Sequence, residues 1–313
     1  MKKMYHVTIG IPAFNEEANI ARLIYSLFRQ KQENFVLDKI IVVLDGSTDN
    51  TKRILQNLEK QYPKLIYIYD PIRKGVTYRL QQLIDLNLSD ILVFFDGDTL
   101  PENPKTLKNL VTLFNDNEIK LATAALIPVK PLTGFERILF SWRLVWTRLT
   151  HDWKNGNNIY NFRGVGIAMR KDFAKSIHLP VSLSGASSHF MYLKAKQQKI
   201  KTAFSKIAVI HYRLATTLKD YLLQINRGQN DGKILKSMFP EIYEIEYLIP
   251  LQVRIYNVFK NMIYLPLDTI VGTIFHMLIP VLNSRAKPSD KNGTWKSVES
   301  TKIIIDDRTA PNI

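Results

Sequence analysis

The chain contains no cysteine. Disulfide staples and thiolate-held metals are therefore excluded, and a reducing compartment is compatible with the composition. Two phosphate-binding signatures are also missing. No G-x-G-x-x-G follows the first apolar strand and no G-x-x-x-x-G-K-[ST] occurs, which disfavours a dinucleotide fold and a P-loop. Acidic residues are scarce beside basic ones: 28 Asp and Glu against 43 Lys and Arg, a formal charge of +15. That excess favours an anionic partner, be it nucleic acid, a membrane surface or a phosphorylated substrate. Clean apolar runs are short. The first stops at Asn15-Glu16-Glu17, too soon for a signal-peptide core, and reads as a first strand. The longest, Ile263 to Leu282, approaches the length of a membrane span, but Asp268, His276 and two prolines interrupt it.

What is present is enough for a substantial core. The 313 residues are 46% hydrophobic and 23% charged, which fits one large α/β domain or two smaller ones and not global disorder. Strand and helix patterns alternate through the first third. Val7–Pro12, Lys39–Leu44, Leu65–Tyr69 and Ile91–Phe95 read as strands. Helical spacing follows each of the first three, as at Ile20, Leu23, Ile24, Leu27 and Phe28. Short connections between them argue for a parallel sheet with right-handed crossovers. Asn15 is a candidate cap for the first helix, and Ser47 or Thr48 for the second.

The fourth strand is the most informative. Ile91-Leu92-Val93-Phe94-Phe95 is apolar without alternation, as expected of a strand buried on both faces. It ends in Asp96-Gly97-Asp98, which delivers hard oxygen ligands to the strand's C-terminal end, where open α/β sheets bind ligands. Gly97 lets the chain turn so that both carboxylates face one ion. Oxygen-only ligation suits Mg2+ or Mn2+ carrying a diphosphate. Taken alone, the tripeptide reads more readily as a polar turn closing a strand.

Four motifs in order raise it above that. Ile11-Pro12-Ala13-Phe14-Asn15-Glu16-Glu17, Asp45-Gly46-Ser47-Thr48-Asp49-Asn50-Thr51, Lys74-Gly75 and Asp96-Gly97-Asp98 resemble the family 2 glycosyltransferases over roughly residues 5–230. The resemblance implies an α/β, GT-A-type Rossmann-like fold: a mixed, mostly parallel sheet with flanking helices, here followed by an apolar helical C-terminal extension. It implies a donor site in which Pro12 and Glu16 line the nucleoside pocket and Asp45 sits near base or ribose. Lys74 and Arg227 lie on the donor side, and Asp96 and Asp98 hold Mn2+ or Mg2+. The family often carries two aspartates before the Gly-Ser; here Leu44 replaces the first. The implied reaction is in-line displacement with inversion. A sugar moves from a nucleoside diphosphate sugar, with uridine diphosphate the expected carrier, to a hydroxyl on a lipid or glycan.

The acceptor-side motifs depart further. The family's acidic base pair is replaced by Ser188-His189, and Gln224-Ile225-Asn226-Arg227-Gly228 stands where Gln-x-x-Arg-Trp is usual. Histidine is a chemically sensible base near neutral pH, so His189 joins Asp98 as a candidate catalytic residue. Two alternatives stay open: another group or the substrate takes the proton, or the protein binds nucleotide or partner without turnover. His211, at the end of the apolar stretch Ala208–His211, is a candidate third metal ligand. Gly134–Trp153 has a helical apolar face with three tryptophans, fit either for packing on the sheet or for a membrane interface or acceptor groove.

These readings divide the chain into a catalytic domain over residues 1–238, with a nucleotide-sugar half (1–116) and an acceptor half (117–238). An apolar extension follows at 239–285, a possible interfacial anchor flanked by Arg254, Lys260, Arg285 and Lys287, and then a polar tail (286–313). Peripheral contact at the cytoplasmic face of a membrane is expected. Nucleic acid is not an expected partner: charge alone suggests it, and the donor motifs argue against it.

Overall fold

The computed structural model describes residues 3–284 and 299–302. Alternating apolar residues of β1 (Tyr5–Ala13), β2 (Phe35–Asp45), β3 (Leu65–Asp70) and β4 (Ile91–Phe94) feed two cores, one on each face of the sheet. On β4, Ile91 and Val93 enter one core while Leu92 and Phe94 enter the other, and all five residues from Ile91 to Phe95 are at most 1% exposed. The expected burial on both faces is thus observed. α1 (Ile20–Phe28) and α2 (Thr51–Gln61) cover the first face, and α3 (Val76–Leu86) the second.

The chain then adds β5 (Thr99–Pro101), α4 (Thr106–Val111), β6 (Ile119–Pro128), α5 (Gly134–Asp152), β7 (Ile167–Arg170), α6 (Lys171–Lys175), α7 (Ser187–Gln197), β8 (Lys201–Tyr212) and α8 (Leu218–Met238). The eight strands form one sheet in the order β3-β2-β1-β4-β7-β6-β8-β5. β1 to β4 run parallel. β7 runs antiparallel between β4 and β6, and β5 antiparallel on β8, so the sheet is mixed and mostly parallel, as the resemblance implies. Strand order reverses direction at β1, with β2 on one side and β4 on the other, and the crevice at such a switch point is where this architecture binds ligands.

Two expected caps are replaced by something more useful. α1 begins at Ile20, with Asn19 at its cap position, while Asn15 takes φ 54° and its side chain accepts a hydrogen bond from Thr48 N at 2.8 Å. Ser47 Oγ accepts from Asn15 N at 3.1 Å, and Asp49, not Ser47 or Thr48, bonds the first amide of α2 (Thr51 N, 3.0 Å). Asn15 and Ser47 thus stitch β1's end to β2's end, while Asp49 serves the start of α2.

The last described elements are α9 (Pro240–Tyr247), α10 (Leu251–Tyr264) and α11 (Pro266–Ser284). α11 packs along α5, where the Trp142 and His276 rings stack at 4.2 Å and a Cβ on Gly272 would lie 2.8 Å from Trp142 Cα. The tryptophan face of α5 is therefore covered by α11 and, through Trp146, by Tyr160. Exposure shifts outward to α10 and α11, which present Ile255, Phe259, Ile263, Leu267, Ile274 and Met277 to solvent. Among the described residues no helix is long and apolar enough to cross a membrane. Of the expected polar tail, residues 286–298 and 303–313 lie outside the described residues, while 299–302 form a helical turn.

Candidate active site

A cleft of about 260 Å³ opens at the C-terminal ends of β1 and β4, lined on the sheet side by Pro12, Phe14, Glu16, Asp45, Asp96 and Asp98. The tight fit explains the glycine. A Cβ on Gly97 would lie 2.6 Å from Glu16 Cγ, so only glycine lets the β4 loop close on the β1 loop. Three carboxylates then crowd together. Burial, and next the charge of Asp98, push Glu16 well above the usual carboxylate range; burial and Asp98 push Asp96 up to about 7; burial raises Asp98. Glu16 Oε2 is buried without a hydrogen-bond partner.

These groups fit a divalent cation: crowded oxygen donors, one of them an orphan, in a partly buried cleft. Among the described residues no set of three His, Asp, Glu or Cys side chains is arranged to hold a metal unaided.

Asp45 does two jobs. It borders the cleft, yet its oxygens accept from Lys74 N (2.7 Å), Gly75 N (2.9 Å) and Arg79 Nε (2.8 Å). Arg79, 1% exposed, also bonds Ile72 O and Asp70, so one buried guanidinium fixes the β2 and β3 ends together. Lys74 contributes its backbone amide to this network, while its ammonium turns to Asp70 at 3.0 Å and does not line the cleft. Across the cleft, α8 presents Gln224 and Arg227. Arg73 lies over the Phe14 ring at 3.7 Å. Burial lowers Arg227 to about 10, which leaves it cationic at neutral pH.

An adjoining cavity of about 80 Å³ shares Asp96 and Val76 with the cleft and is otherwise lined by Arg163, Gly164, Ser187, Ser188 and Met191, among others. Asp231 of α8 shapes it by accepting from the amides of Ser184, Gly185 and Ala186, which seats the loop before α7. Ser188 Oγ donates to Phe162 O at 2.8 Å. His189 is not on either cavity wall. Its Nδ1 is engaged by Tyr247 OH at 2.8 Å, and burial, then Arg163, push its pKa down to about 4. An imidazole that resists protonation this strongly is a poor proton acceptor. The structure thus does not bring His189, the expected base, onto either cavity wall.

His211 is likewise not gathered with the aspartates. β8 pairs it with Leu100; Nδ1 lies 3.3 Å from Ile127 O and Nε2 3.6 Å from Glu102 Oε1. Among the described residues it is not grouped with the two aspartates into a metal-holding set. Arg163 is the strongest polar feature of the smaller cavity. It donates to Tyr212 OH at 3.0 Å, and burial followed by the nearby charge of Arg143 lowers its pKa. Burial alone would raise Tyr212, but Arg143 and Arg163 pull it down.

Sequence reasoning missed Arg79 and Asp231, and also two residues from the far end of the chain. Thr301 and Lys302 line the cleft. Lys302 Nζ lies 3.4 Å from Glu16 Oε1 and 2.7 Å from Asn15 O.

The comparisons with known proteins agree with this geometry. A model of glycosyl transferase family 2 matches residues 8–177. A dolichyl-phosphate beta-glucosyltransferase of Trichomonas vaginalis is 28% identical over 98 residues, which is 30% of this chain and 30% of that protein's length. A mannosyltransferase from Pyrobaculum calidifontis, solved with GDP-Man and Mn2+, shares the fold with TM-score 0.60 at 15% identity, over 90% of this chain and 83% of that one. Glucosyl-3-phosphoglycerate synthase from Mycobacterium tuberculosis, solved with Mn2+, UDP-glucose and phosphoglyceric acid, gives TM-score 0.54 at 20% identity, over 74% and 79%. With the family model spanning more than half of the chain, this protein belongs to glycosyl transferase family 2 and has the GT-A fold.

Proposed function

We propose that the chain transfers a sugar, with inversion, from a nucleoside diphosphate sugar to an acceptor carried on a lipid or glycan, using a divalent cation held by Asp98 and Asp96. The observation that carries this is the convergence of Glu16, Asp96 and Asp98 at the sheet's switch point, facing Arg227. Mn2+ or Mg2+ there would neutralise the departing diphosphate as a Lewis acid. Arg227 supplies a fixed cation on the opposite wall, where guanidinium matches phosphate oxygens. Asp45 and Arg79 keep the β2 and β3 ends rigid, and Pro12 and Phe14 give the nucleoside an apolar wall. One fold neighbour was solved with GDP-Man and another with UDP-glucose, so uridine as the carrier base rests on the resemblance. The test is a thermal-shift screen of UDP- and GDP-sugars with and without Mn2+. Stabilisation that requires the ion and is lost in Asp98→Ala supports the proposal. Equal stabilisation of Asp98→Ala overturns the metal site.

A second reading concerns the acceptor. Ser188 and His189 are both engaged elsewhere, while Arg163 and Arg143 concentrate positive charge around the smaller cavity. An acceptor whose attacking oxygen is already ionised, such as a lipid phosphate, needs no base and would meet these guanidiniums. Turnover with a polyprenyl phosphate, but not with the matching neutral polyprenol, favours it over a hydroxyl acceptor; the reverse excludes it.

Peripheral membrane contact through α10 and α11 belongs to the same proposal. Their exposed Leu, Ile, Phe and Met side chains are bordered by Arg148, Arg254 and Lys260, the pairing of apolar face and basic rim that an anionic cytoplasmic leaflet attracts.

A further inference from the structure

Among the described residues lining the cleft, the cation nearest Glu16 and Asp98 is not local. It comes from Lys302, 286 residues beyond Glu16. Its Nζ is 3.4 Å from Glu16 Oε1, 2.7 Å from Asn15 O and in contact with Phe14 O, and its side chain is 13% exposed. The segment is seated at two further points. Lys302 O accepts from Asn19 Nδ2 at 3.1 Å, and the Thr301 hydroxyl bonds the Asp98 carboxylate. An ammonium surrounded by carbonyl and carboxylate oxygens therefore sits beside the carboxylate that the proposed cation requires.

We propose that Thr301–Lys302 is a tethered occupant of the donor site, holding the position of the cation and diphosphate until these displace it. The inference rests on the proposed function, which places a divalent ion on these carboxylates. The two states exclude each other for two reasons. Thr301 uses Asp98 oxygen that the ion needs. A fixed positive charge a few ångströms from a divalent ion repels it, and in a partly screened cleft this lowers the ion's affinity by roughly ten- to a hundredfold. Donor affinity is then set in part by how firmly residues 299–302 are seated, and whatever loosens that segment raises it.

The experiment uses the full chain, with Mn2+ and inorganic pyrophosphate as the probe. Free Mn2+ is measured by electron paramagnetic resonance, alongside titration calorimetry. Lys302→Gln removes the charge, and Lys302→Arg keeps it. Lys302→Gln is expected to bind the pair roughly ten- to a hundredfold more tightly, with Lys302→Arg close to the parent. Equal affinity of Lys302→Gln and the parent overturns the displacement while leaving the cation site intact. Weaker binding by Lys302→Gln makes the lysine a donor clamp and also overturns it. No binding in any variant overturns the cation reading and this inference with it. Because the chain has no cysteine, a nitroxide on Ser300→Cys reports the segment itself. Its mobility should rise when Mg2+ and pyrophosphate bind. A label that stays immobile in the bound state overturns the displacement independently.

Discussion

Asp96 is held in a state that costs the metal-free fold stability, so removing its charge should make the protein more stable and less active. Burial, then Asp98, raises this carboxyl from 3.8 to about 7. A raised carboxyl binds its proton more tightly in the folded chain than in the unfolded one. Stability from this group therefore falls as pH rises from about 4 toward 7, and the full cost of ionisation is present above that. The whole shift corresponds to about 4 kcal/mol. Sharing of charge with Asp98 and partial access to water reduce it to roughly 1–3 kcal/mol. Asp96→Asn keeps the shape and abolishes the charge.

In chelator near pH 8, Asp96→Asn should thus exceed the parent by roughly 1–3 kcal/mol in urea unfolding followed by tryptophan fluorescence, and the gain should shrink by more than half near pH 5. Comparing variant with parent is essential, because other groups slope the opposite way. His151 and His189 are held down to about 4, chiefly by burial, so their contribution is lost as pH falls below about 6.5. Saturating Mn2+ should reverse the order near pH 8 by stabilising the parent more than the variant. The reasoning is refuted if metal-free Asp96→Asn is no more stable than the parent near pH 8, or if its gain is the same near pH 5.

Two further outcomes bear on the acceptor side. His189→Ala should lower turnover by less than about tenfold, since loss of a general base costs roughly 10²–10⁴-fold; a fall of that larger size, measured with the fold intact by circular dichroism, restores His189 as the base. Phe259→Glu with Ile263→Glu, on side chains 69% and 76% exposed, should abolish co-sedimentation with anionic vesicles while leaving Mn2+-dependent nucleotide binding unchanged. Undiminished sedimentation excludes α10 as the membrane-facing element.

The donor half was legible because its signals are local. An unbroken apolar run marks a strand covered on both faces, and the residues that follow it must lie at that strand's C-terminal end; Asp96 and Asp98 need nothing more to be placed. What escaped notice depends on distant contacts. Arg79 on α3 reads as surface charge, yet it is 1% exposed because Asp45 and Asp70 reach it from the ends of two strands. Asp231 looks like one more polar residue on α8 until the loop 184–186 folds onto it. His211 was read at a strand end, and the register of β8 sets it beside Leu100 of β5 and Ile127 of β6, partners that the local sequence does not name. Lys302 has no local signature at all, since its partners lie in the first loop of the chain.

The two walls of the site are consequently built by different physics. On the donor wall, backbone amides and hydroxyls of successive loops satisfy one another: Glu16 N donates to Thr51 Oγ1 at 2.8 Å and Glu17 N to Asp49 at 3.1 Å. The carboxylates are thereby fixed before any ligand arrives. On the proposed function, their mutual repulsion, built into the rigid frame, is relieved only when a cation enters. On the acceptor wall the fixed charges are guanidiniums, and the helix carrying Arg143 packs against α11, whose outer side is apolar. On the proposed function, an acceptor with an apolar tail and a polar head meets both surfaces in sequence, the tail on α10 and α11 and the head beside Arg143 and Arg163. Swapping the signs of the two walls would destroy that order. A basic donor wall could not hold the ion, and an acidic acceptor wall would repel a phosphorylated head from the cavity that Asp96 already shares.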